Sequence, residues 1–190
     1  MKGSKQERKL IDYQTHMKIL GTNLANAYVL QCSAIECENT LQQAYKDITE
    51  NDSYKLFDVL HHYTSGMKVI AGEWTYNGID ELRQSCGGAG FLDTSSIAAI
   101  WYDIAPFPTF EGVNVIMLQQ SSRYLFKMAE KASRGKQCEG WFSYINKTES
   151  LCSAKSQAKN VDQFLDLDHI RTMLQTRAAA CLRQVFTAVQ

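Results

Sequence analysis

An excess of charge of either sign is missing from this chain: twenty Lys and Arg balance twenty Asp and Glu over 190 residues, for a formal net charge of zero. That balance argues against a nucleic-acid binder working through a broad basic surface. Long apolar runs are missing too. None approaches the roughly 18–20 residues needed to cross a bilayer, and the polar start, residues 1–8, leads into no apolar signal region. The expectation is a soluble, intracellular chain without a membrane span. Six cysteines (Cys32, Cys37, Cys86, Cys138, Cys152 and Cys181) include no C-x-x-C pair and no Cys/His cluster at zinc spacing, which predicts reduced thiols and no metal site. Asn146-Lys147-Thr148 fits a glycosylation sequon, read as chance in a chain without a secretory route. Strand signals are almost absent. Proline occurs only at positions 106 and 108, so long segments have no helix breaker.

What is present is a 45% hydrophobic, 21% charged composition, enough for a folded core. From residue 10 to about 48, Tyr13, Met17, Leu20, Leu24 and Ala27 recur at helical spacing. A helix of that span is roughly 55 Å long and cannot bury its stripe alone, which predicts packing in a bundle. A turn is expected at residues 50–53, with Asp52 or Ser53 as the next N-cap. A second helix runs through Leu56, Leu60, Tyr63, Met67, Ile70 and Trp74 to Leu82, and its Gly66, Gly72 and Gly78 suggest close helix–helix approach. After a short apolar piece at residues 97–104, another helix is expected over 113–132. Residues 136–160 lack a period and read as a linker. Helical spacing returns over 161–189. The fold class is all-α, an antiparallel helical bundle.

Two clusters could carry chemistry. Cys86-Gly87-Gly88-Ala89-Gly90-Phe91 ends a helix; without side chains at its glycines the backbone can approach another group, and its amides could meet a phosphate. A plain helix cap and turn explains it as well. Glu111, in Thr109-Phe110-Glu111-Gly112 after Pro106-Phe107-Pro108, is a candidate for a partly desolvated carboxylate, a better general base near neutral pH. The alternative places Glu111 in the first turn of a helix, where the macrodipole favours it. His61 and His62 diverge on a helix, His16 and His169 are isolated, and no nucleophile–base pair is evident.

Three segments occur in a telling order: Leu10-Ile11-Asp12-Tyr13-Gln14-Thr15-His16, then Leu82-Arg83-Gln84-Ser85-Cys86-Gly87-Gly88-Ala89-Gly90-Phe91, then the run from Pro108 through Thr109-Phe110-Glu111-Gly112-Val113-Asn114 to Leu125. Together they resemble the helical domain that comes after the β-domain in acyl-CoA oxidases, flavoenzymes of peroxisomal fatty-acid β-oxidation. The likeness covers roughly residues 8–145, and the tail from Val161 resembles the beginning of that family's final helical domain. It implies a bundle domain over 1–135, a linker over 136–160 and a truncated C-terminal domain over 161–190.

The resemblance implies that Glu111 is the base that takes the α-proton of a fatty acyl-CoA, with FAD as cofactor and oxygen as final acceptor. It implies that Gln84, Gly87 and Gly88 approach the FAD of a neighbouring subunit in a homodimer, with Asn114 a further candidate for cofactor contact. Val113, Ala89 and Phe91 depart from the residues common in the family. No part of the chain corresponds to the β-domain that supplies most of the flavin pocket, so the 190 residues read as a piece of an oxidase, inactive in isolation. A non-catalytic helical assembly subunit and an acyl-CoA dehydrogenase are the alternatives. Peroxisomal location follows from the likeness alone; the last residues, Thr187-Ala188-Val189-Gln190, are not a peroxisomal tripeptide.

Overall fold

The computed structural model describes residues 8–189 and is all-α, with no strand among them. A 3-10 turn, Leu10–Asp12, leads into α1 (Gln14–Asn51). Thirty-eight residues without proline let this helix run unbroken. It ends at Asp52, whose left-handed backbone (φ +48°) lets the amides of Asp52 and Ser53 return to the carbonyls of Ile48 and Asp47. Asp52 therefore closes α1; it does not open the next helix as expected. The residue before α2 (Lys55–Ser85) is Tyr54, which offers no side-chain cap.

The short connection folds α2 back along α1 in one antiparallel register. Tyr45 meets Phe57 edge-on at 6.1 Å near the turn, and about 33 Å further along α1 the amide of Asn23 reaches Glu81 (3.3 Å) beside Gly78. A Cβ on Gly78 would overlap the Asn23 carboxamide, so the missing side chain lets the helices approach there. α2 is also the spine against which the next elements pack. Its C-terminal end carries α3 (Ile97–Ile104), with Tyr76 against Trp101 at 5.5 Å. Gly72 lies under the backbone of Phe107, and Gly66 lies under Ser121 of α4 (Asn114–Ser133). Residues 83 to 62 of α2 thus meet residues 90 to 121 in reverse order.

The chain forms two compact units, 1–121 and 122–190, dividing within α4. In the second, a 3-10 segment Gly140–Lys147 leads into α5 (Thr148–Ser153), α6 (Val161–Phe164) and α7 (Leu167–Val189). Ala129, Cys138, Phe142, Ile145, Leu151 and Ala179 are buried in this unit. The stretch 136–160 is thus no featureless linker: its side chains supply much of a small core. The Asn146 carboxamide donates to the Cys138 carbonyl (2.7 Å) and accepts from the Cys138 amide (2.9 Å), so the sequon nitrogen already holds a structural bond. The last helical stretch is also broken, because the carboxylate of Asp166 accepts from the His169 amide (3.0 Å) and starts a fresh helix there.

Both units leave much of their surface open. Separate compact bodies of these sizes would together expose about 11,000 Å²; this chain exposes 14,330 Å². On α1, Met17, Leu24, Tyr28 and Ile35 fall on one helical face, and all four are exposed.

Candidate functional site

The Glu111 turn is assembled by residues on both sides of it. Pro106 fixes its backbone angle, and its carbonyl accepts from the amides of Thr109 and Phe110 (both 2.9 Å) and from the Thr109 hydroxyl (2.8 Å). The rings of Phe107 and Phe110 pack 5.1 Å apart. The Asn114 amide then closes the loop onto the Pro108 carbonyl (3.0 Å), and α4 begins. Between these fixed points Glu111 is left-handed (φ +54°) and Gly112 more so (φ +104°). For a residue with a Cβ that conformation costs about 1–2 kcal/mol. Glu111 is therefore three residues before the helix and outside its first turn.

Lys68 of α2 meets the chain just after this residue. Its ammonium donates to the Gly112 carbonyl (2.5 Å) and to the Asn114 side-chain oxygen (2.8 Å). The Asn114 nitrogen donates to Glu73 (3.3 Å), so cation and carboxylate fix the orientation of the carboxamide from opposite ends. Asn114 is 8% exposed, and its amide is committed to these two partners; in this structure it braces the turn from beneath. Glu111 itself is exposed. The residues of this chain leave it in solvent, in contrast to the partly desolvated carboxylate expected, because the turn's packed side faces α2 and its other side is uncovered.

The glycine block lies elsewhere. Counted along α2, Gln84 is about 16–24 Å from Glu73 and Lys68. Its three glycines do different work. Gly87 takes a left-handed turn (φ +59°), Gly88 has open space where a Cβ would stand, and a Cβ on Gly90 would collide with the Arg83 backbone carbonyl. Gln84, Gly87 and Gly88 are exposed, and Gln84 donates to Asp80 (2.7 Å). Beside them Arg83 forks onto Asp80 (3.0 and 2.6 Å) and lies over the Trp101 ring at 5.6 Å. Hydrogen bonds from Arg83 hold the Asp80 carboxyl below its ordinary value. The Trp101 indole nitrogen is buried without a partner.

Sequence reasoning missed Lys68 and Glu73 entirely, since nothing in helical spacing says which α2 side chains meet a turn more than 40 residues later. It also missed one contact that looks catalytic: His62 Nδ1 lies 3.0 Å from the Ser121 hydroxyl. The same nitrogen is 3.0 Å from the Ser121 carbonyl, which accepts only from an N–H. Nδ1 thus faces both oxygens of Ser121 at once, and the contact ties α2 to α4. Among the described residues no group of three His, Cys, Asp or Glu side chains could hold a metal, and the cysteines are free.

Known proteins resemble this chain in sequence and in fold. Residues 1–126 match the family described as the acyl-CoA oxidase C-alpha1 domain. Mouse peroxisomal acyl-coenzyme A oxidase 1 is 30% identical over 191 aligned residues, covering 100% of this chain and 29% of the relative. Among solved structures, a tomato acyl-CoA oxidase superposes with a TM-score of 0.85 at 28% identity, covering 95% of this chain and 28% of that one. Acyl-CoA oxidase-1 of Caenorhabditis elegans, solved in complex with FAD and ATP, superposes with a TM-score of 0.82 at 26% identity, covering 98% and 27%. The chain spans less than a third of each of these relatives.

Proposed function

The chain belongs to the acyl-CoA oxidase family, and on that premise we propose that it supplies the catalytic base of such an oxidase. In this reading the Glu111 carboxylate removes the α-proton of a fatty acyl-CoA as the β-hydrogen leaves with its electron pair. The product is a trans-2-enoyl-CoA. FAD, when bound, supplies the hydride acceptor and passes the electrons to oxygen, giving hydrogen peroxide. The observation that carries the reading is the pose of Glu111: a non-glycine residue in a left-handed turn backed by half-buried Lys68 and buried Asn114, with its carboxylate exposed. Sparse backbone conformations of this kind persist where the surroundings over-determine them, and they cluster at active sites.

An α-proton of a thioester is weakly acidic, so a base exposed as Glu111 is here works poorly until water is removed from around it. We infer that the cover comes from the parts of the relatives that this chain does not span. Gln84, Gly87 and Gly88 would hold FAD: exposed glycine backbone with room where side chains would stand fits close approach of a large planar cofactor. The family likeness supports a homodimer in which Glu111 of one copy and the glycine block of the other touch the same flavin. Asn114 serves this site through the turn it braces. A peroxisomal location is part of the same proposal.

The test is a hybrid oxidase in which this chain replaces the matching segment of the tomato enzyme, assayed for hydrogen peroxide release from acyl-CoA. Glu111→Gln is expected to lower turnover by about 10³-fold, the scale of a lost general base, with flavin absorbance unchanged. Turnover at the parent rate in that variant overturns the assignment. The isolated chain is expected to purify colourless. A flavin band in that preparation would show that these residues hold the cofactor unaided.

A further inference from the structure

We propose that Lys68 is the positioning residue of the Glu111 turn, selecting the left-handed backbone from which the carboxylate is presented; the inference rests on the base role proposed above. Three non-glycine residues among those described have a positive φ. Asp52 follows α1 and Ser96 follows the 3-10 turn Asp93–Ser95, C-terminal ends where a left-handed residue is ordinary. Glu111 stands at none, and its conformation needs another cause. Glycine supplies half of it, since Gly112 continues the turn at φ +104°. The other half comes from α2: the Lys68 ammonium meets the Gly112 carbonyl at 2.5 Å and the Asn114 carboxamide at 2.8 Å, two groups that directly follow Glu111 and so fix the chain as it leaves the bend.

The chemistry suits the task. An ammonium has three donors and no fixed plane, so it can join a main-chain and a side-chain oxygen that are not coplanar. A half-buried cation left without acceptors is costly, so the turn that provides two of them is selected over alternatives that provide one. Glu73 completes the selection by keeping the Asn114 oxygen turned toward Lys68. Lys68 acts on the carbonyl directly after the base and makes no bond to the carboxylate. Its effect is on where Glu111 sits.

The test uses the full 190-residue chain and no assay of turnover. Backbone carbon shifts and the HN–Hα coupling of Glu111 report its φ by NMR, and exchange of the Asn114 amide, bonded to Pro108, reports loop opening. In Lys68→Met the Glu111 signature is expected to move to that of an averaged loop and Asn114 exchange to speed by at least about tenfold, while the amides of Ala44 and Val69 keep their rates. Lys68→Arg, which retains a cationic donor, is expected to hold both signatures and so separates the role from simple packing. Should Lys68→Met unfold α1 and α2 as well, Lys68→Gln is read in the same two signals and decides in the same way. A Glu111 signature and an Asn114 rate unchanged on loss of the ammonium overturn the proposal. That outcome leaves the base assignment standing, and retained turnover in Glu111→Gln would remove the base assignment while leaving the brace intact.

Discussion

Burial between α2 and α4 holds the His62 imidazole below its ordinary value of 6.5, with neighbouring His61 adding to the effect and the Ser121 carbonyl opposing it. The unfolded chain therefore takes up a proton near pH 6.5 while the folded chain stays neutral. Between the two values the unfolded state binds more protons, so this contribution to stability is present above about pH 6.5 and is lost as pH falls toward the folded value. Urea midpoints are expected to be lower at pH 5.5 than at pH 7.5, with a slope of up to one proton. His62→Gln is expected to flatten that step; an equal slope in the variant would assign it to another group. At this scale the sequence was informative where a turn is spelled by neighbours, as in Thr109-Phe110-Glu111-Gly112, and silent where contacts are distant. His62 meets Ser121 across 59 residues and Lys68 meets Gly112 across 44, and no local pattern marks either pair.

Among the elements, α1 and α2 touch through the Gly78 notch. Gly78→Ala gains about 1 kcal/mol of helix propensity, but its new methyl displaces the Asn23 carboxamide from the Ile19 carbonyl and Glu81. The single variant is expected to be about 1 kcal/mol less stable in urea denaturation. Adding Asn23→Ala removes the overlap and is expected to restore at least the parent stability, a non-additivity diagnostic of direct contact. Additive effects would place the cost elsewhere. The long helices were legible because apolar residues at positions such as Met17, Leu24, Leu56 and Leu60 keep a 3.6-residue period with no proline to interrupt it. Two features were hidden. The break before α7 lies within an apolar pattern that runs on from Phe164 to Ile170, and only the Asp166 cap interrupts it. Residues 140–153 wind as a 3-10 segment and a helix of six residues, too tight and too short to show an α-helical period.

For the whole molecule, the surface left open by both units includes Leu24 and Tyr28 of α1, 60% and 67% exposed. Contiguous apolar surface of this kind marks an interaction face. The isolated chain is expected to bind a hydrophobic dye and to sediment above its 21.5 kDa monomer mass. Replacing Leu24 and Tyr28 by Asp and Glu is expected to raise the monomer fraction and lower dye binding at unchanged helicity. Monomeric behaviour of the parent chain would show that this face is tolerated in water. The short link between α1 and α2 has a kinetic consequence. Residues on either side of it are near neighbours in sequence, so their pairing closes small loops and ranks among the fast events of folding. The tie from Lys68 to Gly112 encloses a far larger loop and meets its closure entropy later. The hairpin is thus expected to stand as a template when the Glu111 turn arrives, so slowing the hairpin delays formation of that turn with it.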